Sequence, residues 1–206
     1  MVQVIKLNPN KPDKAVIQKA REIIAAGRLV IFPTDTVYGL ATDPFNEAAV
    51  LRLIDAKRRD EAKGFPILVA NLEMAKELVK FSSMALSIAS KFWPGALTLV
   101  LPLRKSMPSI VTGDRQTLGV RVPDHPIARQ LAEIPIIGTS ANISGRESPL
   151  SAEDAINQLG DSVDLVLDTG PTKEGIASTI IDLTTKTPRI IREGAIKKNQ
   201  LQRYLR

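Results

Sequence analysis

The sequence predicts a mixed α/β fold in one domain, with strands and helices intermixed along the chain. Three observations carry that expectation. Short apolar runs of strand length, such as Leu29-Val30-Ile31-Phe32 and Ile136-Ile137, are interleaved with stretches of helical period. No internal repeat and no long linker divides the 206 residues, a length that suits about one domain burying roughly 70% of its unfolded surface. Hydrophobic and charged contents of 44% and 24% are those of a globular chain, not a disordered one.

The elements follow in order. Val2 to Leu7 alternates as a half-buried strand, and Asn10 with Pro12 opens a helix carrying Val16, Ala20, Ile23 and Ile24 on one stripe until Gly27 ends it. Leu29 to Phe32 is a strand covered on both faces. It empties into Pro33-Thr34-Asp35-Thr36-Val37-Tyr38-Gly39-Leu40, which reads either as a turn, with Asp35 capping an amide, or as the polar end of a strand facing a ligand. Asn46 caps a second helix with Val50, Leu53 and Ile54 inward, so Lys57 emerges at its last turn and the helix delivers cations to the loop Lys57–Gly64. Phe65 to Ala70 is a strand, helical patterns around Leu78 and around Leu86, Ala89 and Phe92 follow, and Pro94-Gly95 breaks them.

Leu97 to Leu103 and Thr117 to Val122 are strands, the second carrying Arg121 among apolar neighbours, where its charge requires a partner. Ile136-Ile137 feeds a second polar stretch, Gly138 to Gly145. Ser151 and Asp154 form a capping box for a helix through Leu159. Strands at Val163 to Leu167, Ser178 to Leu183 and Arg189 to Ile191 precede a basic amphipathic helix from about Ile196 that presents Leu201, Tyr204 and Leu205. The glycine-bearing loops 138–149 and 170–175 are candidate lids on composition.

Composition excludes several kinds of chemistry. With no cysteine there is no disulfide framework, thiolate zinc site or cysteine nucleophile. The one histidine, His125, sits between prolines in a turn leading to a helix near Pro126, an unsuitable place for a serine-hydrolase base. No apolar stretch approaches membrane-spanning length and Met1–Lys6 lacks the character of a signal peptide, so a cytoplasmic protein without a membrane partner is expected. The net charge of +6 is concentrated: residues 1–188 balance to +1, whereas 189–206 carry six basic side chains and only Glu193. Such a tail is either a solvated helix face or a surface that steers a polyanion such as RNA.

Neither G-x-x-x-x-G-K-[ST] nor G-x-G-x-x-G occurs. What remains is a scattered set of polar groups near strand ends: Thr34, Thr36, Lys57, Arg59, Lys63, Arg121, Ser140, Asn142, Ser178, Thr179 and Arg192. Cations converging with hydroxyls suit a polyphosphate, because phosphoryl-group transfer needs charge neutralisation and in-line positioning more than acid–base work. On residue types alone the run Lys57–Lys63 reads more readily as a solvated helix end than as a phosphate clamp.

These residues resemble one family. Pro33 to Leu40, the K-x-R of Lys57-Arg58-Arg59 and the S-x-N of Ser140-Ala141-Asn142 look like signatures of the YrdC-like threonylcarbamoyl-AMP synthases. Val120 to Pro123, Ala177 to Asp182 and Ile191 to Ile196 extend the match over about residues 15–196. The resemblance implies one YrdC-like domain over 1–206, its core about 15–196 and its basic C-terminal helix about 196–206, built as an open, twisted mixed sheet flanked by helices around a large basic concave site. It implies the short form, without the further C-terminal domain of longer members.

The activity implied is synthesis of L-threonylcarbamoyladenylate and pyrophosphate from L-threonine, bicarbonate and ATP, with Mg²⁺ on the phosphates, as the first step toward threonylcarbamoyladenosine in tRNA. A downstream transferase would pass the group to tRNA. By motif position Thr36, Arg121 and Ser178 would hold threonine. Arg59, Lys63, Thr117, Ser140, Asn142 and Arg192 would hold ATP, with Lys57 near both and Lys57 and Arg59 stabilising charge in catalysis; no protein metal site is implied. Three positions depart from the family pattern: Asp60 replaces a proline after K-x-R, Leu68 a histidine or similar polar group, and Leu150 a threonine near the nucleotide. The alternative, a double-stranded RNA or tRNA-binding module without catalysis, rests on the same basic surface and tail.

Overall fold

The computed structural model describes every residue except Met1, Glu61, Arg203 and Arg206. Eleven strands and eight α-helices alternate along the described residues, as a mixed α/β chain requires. In order they are β1 (Gln3–Lys6), α1 (Lys14–Ala25), β2 (Val30–Phe32), β3 (Gly39–Ala41), α2 (Glu47–Lys57), β4 (Ile67–Leu68), α3 (Leu72–Leu78), α4 (Ser83–Phe92) and β5 (Leu97–Pro102). There follow α5 (Ser109–Thr112), β6 (Thr117–Arg121), α6 (Pro126–Leu131), β7 (Ile136–Ile137), β8 (Thr139–Ser140), α7 (Ala152–Leu159), β9 (Leu165–Asp168), β10 (Thr179–Asp182), β11 (Arg189–Arg192) and α8 (Lys198–Gln202).

The strands are shared between two mixed sheets instead of forming one. One runs β1-β9-β2-β3-β8, with parallel pairing through its first three strands and antiparallel pairing beyond. The other runs β11-β10-β5-β6-β4-β7. β2 lies fully inside the first sheet, and its alternate side chains serve two cores. Ile31 packs with α2, β4 and β5, while Val30 and Phe32 pack with α1 and α6. Burial on both faces is why the segment reads as an unbroken apolar run, and each such side chain contributes about 1.5–3 kcal/mol.

The chain crosses between the sheets at Gly138. β7 pairs with β4 in one sheet and β8 pairs with β3 in the other, with this single residue between them. A Cβ on Gly138 would lie 2.2 Å from Leu68 Cγ, so the crossing needs glycine for close approach. The Ile137 and Gly138 amides donate to the carbonyls of Thr42 and Pro66 at 3.1 Å, tying the crossing to both sides.

Several elements differ from the sequence expectation for local reasons. α1 is capped by Asp13, whose Oδ1 accepts from Ala15 N; Asn10 instead belongs to a preceding turn in which its amide donates to Asn8 Oδ1. β4 pairs over only two residues of the expected Phe65–Ala70 strand, since Pro66 has no amide to donate and Phe65 N is used on Val111 O. β3 and β8 were not foreseen, being three and two residues long with no readable period. α8 starts at Lys198, not Ile196, and Tyr204 stacks edge-on against Phe92 with centroids 5.5 Å apart. Of the expected C-terminal helix, Arg203 and Arg206 fall outside the described residues, as does Glu61 of the cationic loop. Among the described residues, no helix is long and apolar enough to cross a membrane.

α2 carries the K-x-R segment to the site, and it begins where the sequence places it. Asn46 Oδ1 accepts from Ala49 N at 3.1 Å, and Arg58 closes the helix in the left-handed region at φ 48°. Asn46→Ala should cost about 1 kcal/mol. Urea unfolding checks this: the midpoint falls with the slope unchanged, whereas an unmoved midpoint shows that the cap contributes nothing.

Candidate active site

Arg121 ends β6 with its side chain turned inward, 6% exposed, where an unpaired guanidinium would be prohibitively costly. The partner is Asp35, equally buried, whose Oδ1 accepts from Nη2 at 2.6 Å. Nε donates to Gly95 O at 2.9 Å and Nη1 to Thr36 Oγ1 at 3.0 Å. A guanidinium has five N–H groups, so two remain for a molecule in the cavity that Arg121 lines. Burial lowers the Arg121 pKa and Asp35 opposes that shift; the group stays charged. Asp35 therefore orients a cation instead of capping a turn amide.

The threonines ahead of β3 are ordered by hydrogen bonds. Thr34 Oγ1 donates to Val37 O at 2.6 Å and accepts from the amides of Thr36 and Val37. Its 2.9 Å contact with Thr36 Oγ1 joins the two hydroxyls, and either of them can supply the proton. Thr36 Oγ1 also accepts from Arg121 Nη1, so this hydroxyl is held at the cavity wall between Thr34 and the guanidinium.

On the opposite wall, Ser178 Oγ lies 3.0 Å from Thr98 Oγ1, and Ser178 O accepts from Nε and Nη2 of Arg192 at 3.2 and 2.8 Å. Close approach here depends on Gly194, where a Cβ would stand 2.1 Å from Ala177 O. Arg59 is held by the carbonyls of Lys63 and Gly64 and lies 4.8 Å over the Phe65 ring. Its pKa is lowered by burial and by Arg192; that of Arg192 is lowered by burial and by Arg121. Three guanidiniums that destabilise one another around one space make a site for an anion.

Two adjoining cavities result. The inner one, about 130 Å³, is lined by Thr36, Arg59, Arg121, Ser140, Ser178 and Arg192 among others. The outer one, about 490 Å³, shares Arg59, Pro66, Thr98 and Ile180 with it and adds Lys63 and Thr117. Eight of the ten site residues expected from sequence thus line one cavity or both. Leu68 lines the inner one as an apolar wall, and Leu150 lies on the surface with its carbonyl accepting from Thr172 N.

Lys57 and Asn142 line neither cavity. The Lys57 side chain does not emerge from α2; it is 2% exposed and its Nζ donates to the carbonyls of Ser140 and, at 2.7 Å, Asn142. It clamps the S-x-N turn from beneath. Asn142 Nδ2 in turn donates to Ile143 O and Arg146 O, holding the loop that follows. Burial, reinforced by Arg59, lowers the Lys57 pKa to about 7.

Sequence reasoning missed Thr98, a lone hydroxyl inside an apolar strand, and Arg115 and Arg189, which line the outer cavity but read in sequence as ordinary surface cations. Loop 170–175 is pinned by backbone bonds: the amides of Glu174 and Gly175 donate to the carbonyls of Asp35 and Thr36 at 3.1 and 3.0 Å.

The sequence profile of the Sua5/YciO/YrdC family, described as telomere recombination, matches residues 22–194, and the chain belongs to that family. It is 39% identical over 196 residues to a threonylcarbamoyl-AMP synthase of Pyrococcus abyssi, covering 92% of this chain and 57% of that protein. It is 38% identical over 201 residues to a putative threonylcarbamoyl-AMP synthase of Mycobacterium tuberculosis, covering 96% and 92%. Among solved structures, P. abyssi Sua5 complexed with L-threonine superposes with a TM-score of 0.93 at 37% identity, covering 98% of this chain and 60% of that one. Escherichia coli YciO gives 0.86 at 29%, covering 94% and 96%. The chain thus spans less than two thirds of the P. abyssi protein and nearly all of the shorter relatives.

Lys57 makes stability depend on pH in a particular direction. Its folded pKa of about 7 lies below the ordinary lysine value of 10.5, so between these the unfolded state binds more protons and stability rises with pH. The gap between wild type and Lys57→Met should move in favour of wild type by on the order of 2 kcal/mol from about pH 7 to 9. Urea unfolding at both pH values measures it; a gap moving the other way contradicts the burial of the amine.

Proposed function

We propose that this Sua5/YciO/YrdC chain is a nucleotidyltransferase that makes L-threonylcarbamoyladenylate from L-threonine, bicarbonate and ATP. The observation that carries this reading is the inner cavity, where a guanidinium with two spare N–H groups stands beside the Thr36 hydroxyl and two further arginines complete the ring. An amino acid satisfies the first pair: its carboxylate takes the two Arg121 N–H groups and its amine hydrogen-bonds with Thr36 Oγ1. Ser178 and Thr98 offer hydroxyls to its side chain. The P. abyssi Sua5 that superposes on this chain was crystallised with L-threonine, and the relatives' names supply the acyl-adenylate product.

The chemistry asks for no side-chain nucleophile. The neutral threonine amine and bicarbonate give a carbamate and water. A carbamate oxygen then forms a bond to the α-phosphorus of ATP while the bond from that phosphorus to the β-bridging oxygen breaks, its electron pair leaving with pyrophosphate. Arg59 and Arg192 meet the charge that develops; removing one such donor typically costs about 3–4 kcal/mol of transition-state stabilisation. Lys57 acts here through the Ser140-Ala141-Asn142 turn, in place of the direct charge stabilisation expected from the motif.

Mg²⁺ fits this site as an ion carried on the phosphates, since the charged side chains lining the outer cavity are Arg59, Lys63, Arg115 and Arg189, with Asp182 its one carboxylate among the described residues. When bound it would neutralise phosphate charge. The product would serve threonylcarbamoyladenosine formation in tRNA in the cytoplasm, with a downstream transferase as partner.

Purified protein should release pyrophosphate only when ATP, L-threonine and bicarbonate are all present; release that is unchanged without threonine refutes the reading. Thr36→Ala should raise KM for L-threonine on the order of tenfold while moving KM for ATP little. Equal losses for both substrates would mean that the stretch only shapes the fold.

A further inference from the structure

The inner cavity is chemically two-sided about Arg121. In its sheet β6 runs between β5 and β4, so the guanidinium is flanked by a different strand on each side. On the β4 side Leu68 is the register partner of Arg121, and the two side chains leave the same sheet face from strands about 4.8 Å apart. On the β5 side stands Thr98, with its Oγ1 3.0 Å from Ser178 Oγ. All four residues line the cavity. Two glycines bring the apolar side close: a Cβ on Gly138 would stand 2.2 Å from Leu68 Cγ, and one on Gly39 would stand 2.7 Å from Phe32 Cζ. Leu68 and Phe32 are buried in the same core, so neither turns away without opening it.

An amino acid held by its carboxylate on Arg121 and its amine at Thr36 sends its side chain into the space between these two sides. A β-carbon that carries both a hydroxyl and a methyl can satisfy them together, the hydroxyl on Ser178 and Thr98 and the methyl on the hydrocarbon wall. We propose that Leu68, backed by Phe32, is a specificity-determining residue of this site, which receives the β-methyl of L-threonine and so discriminates against L-serine and L-allo-threonine. Serine leaves the wall without a contact. L-allo-threonine can direct its hydroxyl or its methyl correctly but not both, and a hydroxyl turned onto Leu68 has no hydrogen-bonding partner there. Leu68 is also a position at which the chain departs from the family pattern. The inference rests on the synthase reading for the identity and pose of the amino acid, although binding of the amino acid requires no turnover.

Calorimetric titration of the full chain with L-threonine, L-serine and L-allo-threonine tests the proposal, using wild type, Leu68→Ala, Leu68→Val and Leu68→Met. Wild type should bind L-threonine on the order of tenfold more tightly than either analogue, the usual scale for one buried methyl group. In Leu68→Ala the threonine-to-serine ratio should fall to within about threefold through weaker threonine binding, with serine affinity unchanged. Leu68→Met, of similar volume, should keep the wild-type ratio. Leu68→Val should give an intermediate ratio, and it decides the point should the alanine variant unfold. Equal wild-type affinities for threonine and serine overturn the proposal, as does a wild-type ratio retained in both Leu68→Ala and Leu68→Val. Equal losses for threonine and serine also overturn it, since they mark general damage to the cavity, and so does a wild type that binds none of the three. The synthase reading is decided separately, by threonine-dependent pyrophosphate release, and its failure leaves this order of affinities in place.

Discussion

The buried ion pair between Asp35 and Arg121 is the constraint on which the site depends. A guanidinium so enclosed is tolerated only with a carboxylate against it and hydrogen bonds to its remaining donors. Meeting that demand joins three remote segments: the loop leaving β2, the end of β6, and the Gly95 carbonyl ahead of β5. The same hydrogen bonds hold the Thr36 hydroxyl at the cavity wall. Recognition chemistry in the inner cavity is thus a consequence of satisfying one charge, and little of it requires rearrangement when a ligand arrives.

A second constraint comes from the meeting of two sheets. Inner-cavity residues are drawn from β2, β3 and β8 of one sheet and from β4, β5, β6, β10 and β11 of the other, so their spacing depends on how the sheets are joined. Gly138 permits the crossing, and Lys57 secures it by holding the carbonyls of Ser140 and Asn142. A lysine used this way acts as a bolt whose ammonium never meets solvent. Its depressed pKa is the cost of that placement, since only the neutral amine escapes the full desolvation penalty.

Much of this was legible in the sequence, and the exceptions have physical causes. β2, α2, α7 with its capping box and the demand of Arg121 for a partner follow from periodicity, caps and the cost of burying charge. The identity of that partner does not, because Asp35 and Arg121 are 86 residues apart. β3 and β8 are too short to carry a period, and their pairing is created by the sheet they enter. The direction of Lys57 was misread because helical phase places a residue on a face without saying whether a long side chain turns back under the helix. Arg115 carried no signal and Arg189 showed only as one charge of the basic tail, since an arginine lining a cavity and one facing solvent look alike in sequence.

The most direct measurement of the ion pair's role is L-threonine binding by calorimetry to Asp35→Asn. Asp35 does not line the inner cavity, so it reaches a ligand there only through the orientation of Arg121. The prediction is a folded protein whose threonine affinity has fallen about tenfold or more. A folded Asp35→Asn that binds threonine as wild type does would contradict it, and would assign recognition to groups other than Arg121.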